Sequence, residues 1–161
     1  MRSIPLNYRA IDDAVIEVPD ENLLAVLEPK ETVGLSSLEG ELRKGLAFPI
    51  GCVPLRVLAT GRRNAMILTD DYTRLTPSGM IIPVLLDELN SAGIPDERIM
   101  VMVAQGTHRP MTEAELEKKL GRAVLTRVKV LPHEFGNPQA LRYLGKTPNG
   151  TEIWINKQIR R

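Results

Sequence analysis

The chain has 161 residues, with 21 lysines and arginines against 20 aspartates and glutamates, a formal net charge of +1, and 43% hydrophobic residues. That length and apolar content suit a single domain over 1–161 with a proper core, and the balanced charge excludes the broad positive field that nucleic-acid binding requires. The apolar run from Met80 to Leu86 is far shorter than the roughly 20 residues of a membrane span, and the start MRSIPLNYRAIDD lacks the apolar core of a secretory signal. The single cysteine, Cys52, has no partner for a disulfide or a thiolate cluster and sits in the apolar stretch FPIGCVPL, where packing is its expected role. A soluble, cytoplasmic protein is the expectation, with neither nucleic acid nor membrane as partner.

In chain order, AVIEVP and NLLAVL are two β-prone runs separated by Asp20, Glu21 and Asn22, which predicts an N-terminal hairpin. Leu35, Leu38, Leu42 and Leu46 recur at helical spacing, with Ser36 or Ser37 as the cap. Pro49, Gly51 and Pro54 then break the chain, and PLRVLAT predicts a short helix with proline at its first position.

The middle of the chain sets the fold class. AMILTD at 65–70 and RIMVMVA at 98–104 are near-continuous apolar runs, as expected of strands buried on both faces. Between them Ile82, Leu85, Leu86 and Leu89 share one face of a helix from about Ser78 to Ala92, which Gly93 stops. Strand, helix and strand over about 40 residues make a βαβ unit, whose strands should be parallel neighbours joined by a right-handed crossover. Thr112 and Glu115 then form a capping-box pattern at a second helix, and VKVLPH predicts another strand. LRYLGKT and TEIWINK flank Pro148, Asn149 and Gly150, and the Asn-Gly pair predicts a C-terminal hairpin. Trp154 within it is expected to pack on the sheet, and Lys157, Arg160 and Arg161 to be a solvated helix start. The expected architecture is α/β: a Rossmann-like, mostly parallel sheet with helices on both faces and a β-hairpin at each end.

Ligands of open parallel α/β sheets bind beyond the carboxyl ends of the strands. That rule selects two loops, Asp70-Asp71-Tyr72-Thr73-Arg74-Leu75-Thr76-Pro77 and Gln105-Gly106-Thr107-His108-Arg109-Pro110. Each precedes a helix, whose unpaired N–H groups and positive dipole end favour an anion. Arg74 can grip a carboxylate or phosphate with two parallel hydrogen bonds and is the expected anion anchor. An unperturbed histidine titrates near pH 6.5, so His108 is the expected acid/base group. Gly106 allows close backbone approach to a ligand, while Asp70 and Asp71 are placed to orient Arg74 or cap the turn. Each feature has a plainer reading. Asp-rich loops after strands are often only capped turns, and Arg109 alone is an ordinary surface charge. His133, in LPHEF at the same predicted edge, reads as a loop histidine bonded to backbone. The chain lacks a dinucleotide-binding glycine pattern, a phosphate loop, a G-x-S-x-G elbow and paired metal ligands at useful spacing.

At these loops the sequence resembles the nickel-dependent lactate racemase family, whose N-terminal domain carries D-D-x-T-R-P-T/S-P and A-L-G-T-H-R-P-M motifs. They stand here as DDYTRLTP at 70–77 and AQGTHRPM at 104–111. The likeness extends to AFPIGCVPLRVLA upstream and YLGKTPNGTEIWIN downstream, and departs at Leu75, where the family has proline, and Gln105, where it has leucine. The resemblance implies a racemase or epimerase of small 2-hydroxy acids that uses a nickel-pincer nucleotide tethered to a lysine. His108 matches one of two catalytic histidines, Arg74 an arginine that contacts substrate or cofactor anion, and Asp71 a further member of the functional set by position. Thr73, Gly106, Thr107 and Arg109 complete the expected anion-binding loops. The second histidine, the cofactor lysine and the nickel ligand fall beyond Arg161. The resemblance therefore implies a truncated domain that lacks its C-terminal partner, binds no cofactor alone and is inactive alone. An uncovered face makes a homo-oligomer a further partner expectation. The alternative is an independent carboxylate- or phosphate-binding module without catalysis.

Overall fold

The computed structural model describes residues 1–6 and 14–160. The chain divides into two compact units, Met1–Gly34 and Leu35–Arg161.

In the first unit, β1 (Arg2–Pro5) pairs antiparallel with β2 (Val15–Val18), setting Ile4 opposite Ile16. The N-terminal hairpin thus exists, but with a different partner from the expected 22–27 segment. Asp20–Asn22 form one 3-10 turn after Pro19, and the chain beyond it leaves Leu24 and Leu27 102% and 93% exposed. The physical reason lies in the turn: Asp-Glu-Asn contains no glycine to take the positive φ of a tight hairpin, so 22–27 does not fold back on β2.

In the second unit, α1 (Leu38–Ala47) starts at Ser37, whose Oγ accepts from the Gly40 amide at 3.1 Å. Leu35 therefore falls outside the helix. Pro54 sits just before α2 (Leu55–Ala59) rather than at its first position. β3 (Ala65–Thr69), α3 (Ser78–Ser91) and β4 (Ile99–Val103) form the expected βαβ unit, with β3 and β4 parallel and in register from Ala65 opposite Ile99 to Thr69 opposite Val103. α4 (Glu113–Leu120) and α5 (Arg122–Arg127) are parted by Gly121 at φ 78°, and β5 (Lys129–Pro132) adds parallel to β4, for the order β3-β4-β5.

Alternation along the strands divides the sheet's two faces. Ile99 and Val101 pack with Ile82, Leu86 and Leu89 of α3, Leu120 of α4 and Val124 of α5. Full burial of an aliphatic side chain of this size stabilises by about 2 kcal/mol, so this layer holds the strand ends in place. On the other face, Met66, Leu68 and Met100 border a hollow shared with Gln158 and Ile159 of the 3-10 helix Lys157–Arg160. The sheet is thus flanked by helical structure, and β6 (Leu141–Lys146) with β7 (Glu152–Asn156) forms the C-terminal antiparallel hairpin. Trp154 packs within that hairpin against Tyr143, ring centres 5.0 Å apart, and stays about half exposed. Among the described residues, no helix is long and apolar enough to cross a membrane.

Candidate active site

Parallel pairing makes β3 and β4 end together, and the Ala104 amide continues the ladder by donating to the Thr69 carbonyl at 2.7 Å. The two polar loops therefore leave the same edge of the sheet, as the sequence predicts. The second loop turns back at once: the His108 amide donates to the Gln105 carbonyl at 3.1 Å, and Gly106 lies at φ 60°. A side chain with a Cβ is strained at that φ. This turn brings His108 over the first loop.

There the His108 ring Nδ1 lies 2.6 Å from Oδ2 of Asp71. Asp71 is buried, with only 3% of its side chain exposed, whereas half of the His108 side chain faces solvent. The second carboxylate oxygen of Asp71 accepts from the Thr73 hydroxyl at 2.6 Å and the Thr73 amide at 3.1 Å. Burial pushes the Asp71 carboxyl upward, but the bonds from Thr73 and His108 outweigh it and hold the group below the usual aspartate value. An ionised carboxylate only accepts hydrogen bonds. Nδ1 must therefore carry a proton, which leaves Nε2 of the neutral ring as a base directed away from Asp71.

The Asp71 carboxylate makes no bond to the Arg74 side chain among the described residues, and the two residues meet through the backbone, where the Arg74 amide donates to the Asp71 carbonyl at 3.2 Å. The Arg74 side chain is exposed and forms no hydrogen bond or ion pair among the described residues. Thr73 spends its hydroxyl on Asp71, while Thr107 is exposed beside Gly106. Arg109 forms a two-point pair with Glu115, at 2.8 and 2.7 Å, with its guanidinium carbon 4.9 Å from the centre of the Tyr72 ring. The Arg109 bond, helped by the Thr112 amide, pulls the Glu115 carboxyl down to about 2.

Sequence reasoning missed Lys119. Only 8% of its side chain is exposed, and its ammonium lies 2.7 Å from Asp70 while donating to the carbonyls of Arg74 at 2.8 Å and Thr76 at 3.1 Å. Two ammonium protons go to the carbonyls, while the Asp70 contact is an ion pair in which Oδ1 accepts no hydrogen bond from the described residues. Thr76 also donates to Asp70, and burial, which would raise the Asp70 carboxyl, is outweighed by these two partners. No local pattern marks a lysine in the last turn of a helix for such work. His133, the other candidate at this edge, donates its amide to the Val103 carbonyl at 3.1 Å, so its backbone serves to extend the ladder.

A hollow of about 200 Å³ beside this edge is lined in part by Thr69, Asp70, Thr76 and Ser78. A larger one of about 430 Å³ lies by Leu55, Leu58, Ala65 and Met66, at the opposite end of β3, with no acid/base pair. Among the described residues no three His, Cys, Asp or Glu side chains converge to hold a metal ion.

The model of the lactate racemase N-terminal domain family matches residues 12–161. The chain belongs to that family. It is 33% identical to the lactate racemase of Lactiplantibacillus plantarum over 96% of its own length and 36% of the relative's. Identity to the lactate racemase of Thermoanaerobacterium thermosaccharolyticum is 31%, over 88% of this chain and 33% of that one. The structure of the latter organism's lactate racemase apoprotein superposes with a TM-score of 0.80 at 29% identity, covering 97% of this chain and 36% of that chain. A Thermotoga maritima protein matches with a TM-score of 0.57 at 29% identity over 74% of this chain and 30% of its own. The chain thus spans about a third of the length of the curated relatives it matches.

Proposed function

We propose that this domain supplies the acid/base half of a 2-hydroxy-acid racemase or epimerase, with His108 as the proton-transfer group and Arg74 as the anion anchor. The observation that carries the reading is the 2.6 Å contact between His108 and the buried Asp71. With Nδ1–H held by an ionised carboxylate, Nε2 can accept the hydroxyl proton of a 2-hydroxy acid and return it after the configuration at the neighbouring carbon has been reset. Asp71 fixes the tautomer and balances the imidazolium that forms in between. Arg74, whose guanidinium is uncommitted among the described residues, suits the substrate carboxylate or a cofactor phosphate.

In the family that the motifs resemble, a nickel-pincer nucleotide supplies the hydride acceptor. The described residues of this domain fit only the anionic part of such a group, through Arg74. They bring no three His, Cys, Asp or Glu side chains together, so they do not form a nickel site by themselves, and this domain alone is expected neither to retain nickel nor to racemise lactate. We further place the enzyme in the cytoplasm.

The test is a panel of chiral 2-hydroxy acids offered to protein of full family length carrying its cofactor. Interconversion of at least one pair of enantiomers or epimers is expected. Arg74→Lys should raise KM well before it lowers kcat, because a lysine cannot reproduce the two-point grip. A loaded enzyme inert toward the whole panel refutes the reading.

A further inference from the structure

Two neighbouring residue pairs bridge the loops. Asp71 meets His108 at 2.6 Å, and the next residue of each loop meets its counterpart, with the Arg109 guanidinium carbon 4.9 Å from the centre of the Tyr72 ring. Arg109 is fixed from behind by two bonds to Glu115, at 2.7 and 2.8 Å. Glu115 is itself fixed in the first turn of α4, where it accepts from the Thr112 amide at 2.8 Å while its own amide donates to the Thr112 hydroxyl at 3.3 Å. The chain of contacts runs from α4 through Glu115 and Arg109 to the Tyr72 ring, one residue from the buried carboxylate.

We infer that Arg109 is a positioning residue, clamping the His108 loop onto the Tyr72 ring so that the imidazole stays on Asp71. The inference rests on the reading of Asp71 and His108 as the acid/base pair. Without the clamp, little else restrains the His108 side chain, which is half exposed and bonds among the described residues to Asp71 alone. The turn preceding it is closed by a single amide bond to Gln105. The planar guanidinium is required because it can meet a carboxylate at two points while stacking on a ring, and lysine can do only one of these at a time. The ring face is the part of Tyr72 that matters, and its hydroxyl is dispensable.

The experiment is ¹⁵N NMR of the His108 ring in Arg109→Lys, Tyr72→Leu and Tyr72→Phe, paired with kinetics of the same variants at full family length. In the unaltered protein above the ring's titration, Nδ1 should carry the proton and Nε2 should not. Arg109→Lys and Tyr72→Leu should move both nitrogen shifts toward those of free imidazole and lower kcat by on the order of tenfold to a hundredfold, with KM little changed. Tyr72→Phe should restore both signatures. Unaltered ring shifts in Arg109→Lys and Tyr72→Leu would overturn the inference, as would a Tyr72→Phe variant as impaired as Tyr72→Leu. If Arg109→Lys fails to fold, the two Tyr72 variants decide alone. Because the ring shifts do not depend on turnover, an enzyme without racemase activity would refute the proposed function and leave this inference standing.

Discussion

Asp71 and His108 are 37 residues apart in sequence yet meet at 2.6 Å, because β3 and β4 run parallel in register and Gly106 turns the second loop back over the first. The carboxylate is buried and further held by Thr73, so the contact presents a fixed acceptor to a half-exposed ring. Asp71→Asn keeps the shape while removing the charge, and its amide can offer Nδ1 a donor instead of an acceptor. We expect that variant to fold, to shift the His108 proton toward Nε2, and to lose on the order of a hundredfold or more in kcat. Ring ¹⁵N shifts and steady-state kinetics measure the two effects separately.

Lys119 joins the end of α4 to the first loop through Asp70, Arg74 and Thr76. Asp70 keeps 30% of its side chain exposed and Thr76 as a second partner, so Lys119→Met should cost about 1–2 kcal/mol, less than the loss of a fully buried pair. For a chain of this size that is a fall in melting temperature of about 5 °C. Thermal unfolding checks it, and an unchanged midpoint would mean that the loop is held by other contacts.

Gly79 lies where α3 begins against the end of α4. A Cβ there would sit 3.0 Å from the Leu120 carbonyl oxygen and 3.1 Å from its carbon, backbone atoms that cannot swing aside. Gly79→Ala should therefore destabilise by about 1–3 kcal/mol. Gly45, within α1, has nothing within 4 Å of the same position. Gly45→Ala should be neutral or stabilise by up to about 1 kcal/mol. Denaturant unfolding of the two variants, read side by side, tests the packing argument.

Asp71 and Glu115 both bind a proton more weakly folded than unfolded. Their contribution is complete above the ordinary carboxylate range and is lost as pH falls through the depressed folded values. For Glu115 that window runs from 4.5 down to about 2. Melting temperature should therefore decline less steeply across this window in Glu115→Gln than in the unaltered protein. Parallel curves would show that the Arg109 pairing adds no stability.

The βαβ unit was readable because its signals are local: two apolar runs, a helical stripe with Ile82, Leu86 and Leu89, and a glycine stop. The capping box at Thr112 and Glu115 was readable for the same reason. Strand pairing at the N-terminus was not, because β2 takes its partner from upstream, across 7–13, and no turn pattern between Asp20 and Asn22 announces that choice. Among the site residues, topology was enough to bring the two loops together. The partners of each side chain were not legible: Asp71 goes to His108, Arg109 goes to Glu115 and Tyr72, and Lys119 reaches from a helix end. Side-chain pairing depends on where loops turn in space, which spacing along the chain does not encode.

We propose that His108 moves the substrate's proton. The deciding comparison is between cofactor-loaded protein of full family length and its His108→Asn variant, acting on a chiral 2-hydroxy acid that the unaltered protein interconverts. We predict a fall in kcat of at least about a hundredfold in a variant that still folds and still binds the substrate. A folded His108→Asn enzyme that interconverts the same acid at the original rate would rule out that role for His108.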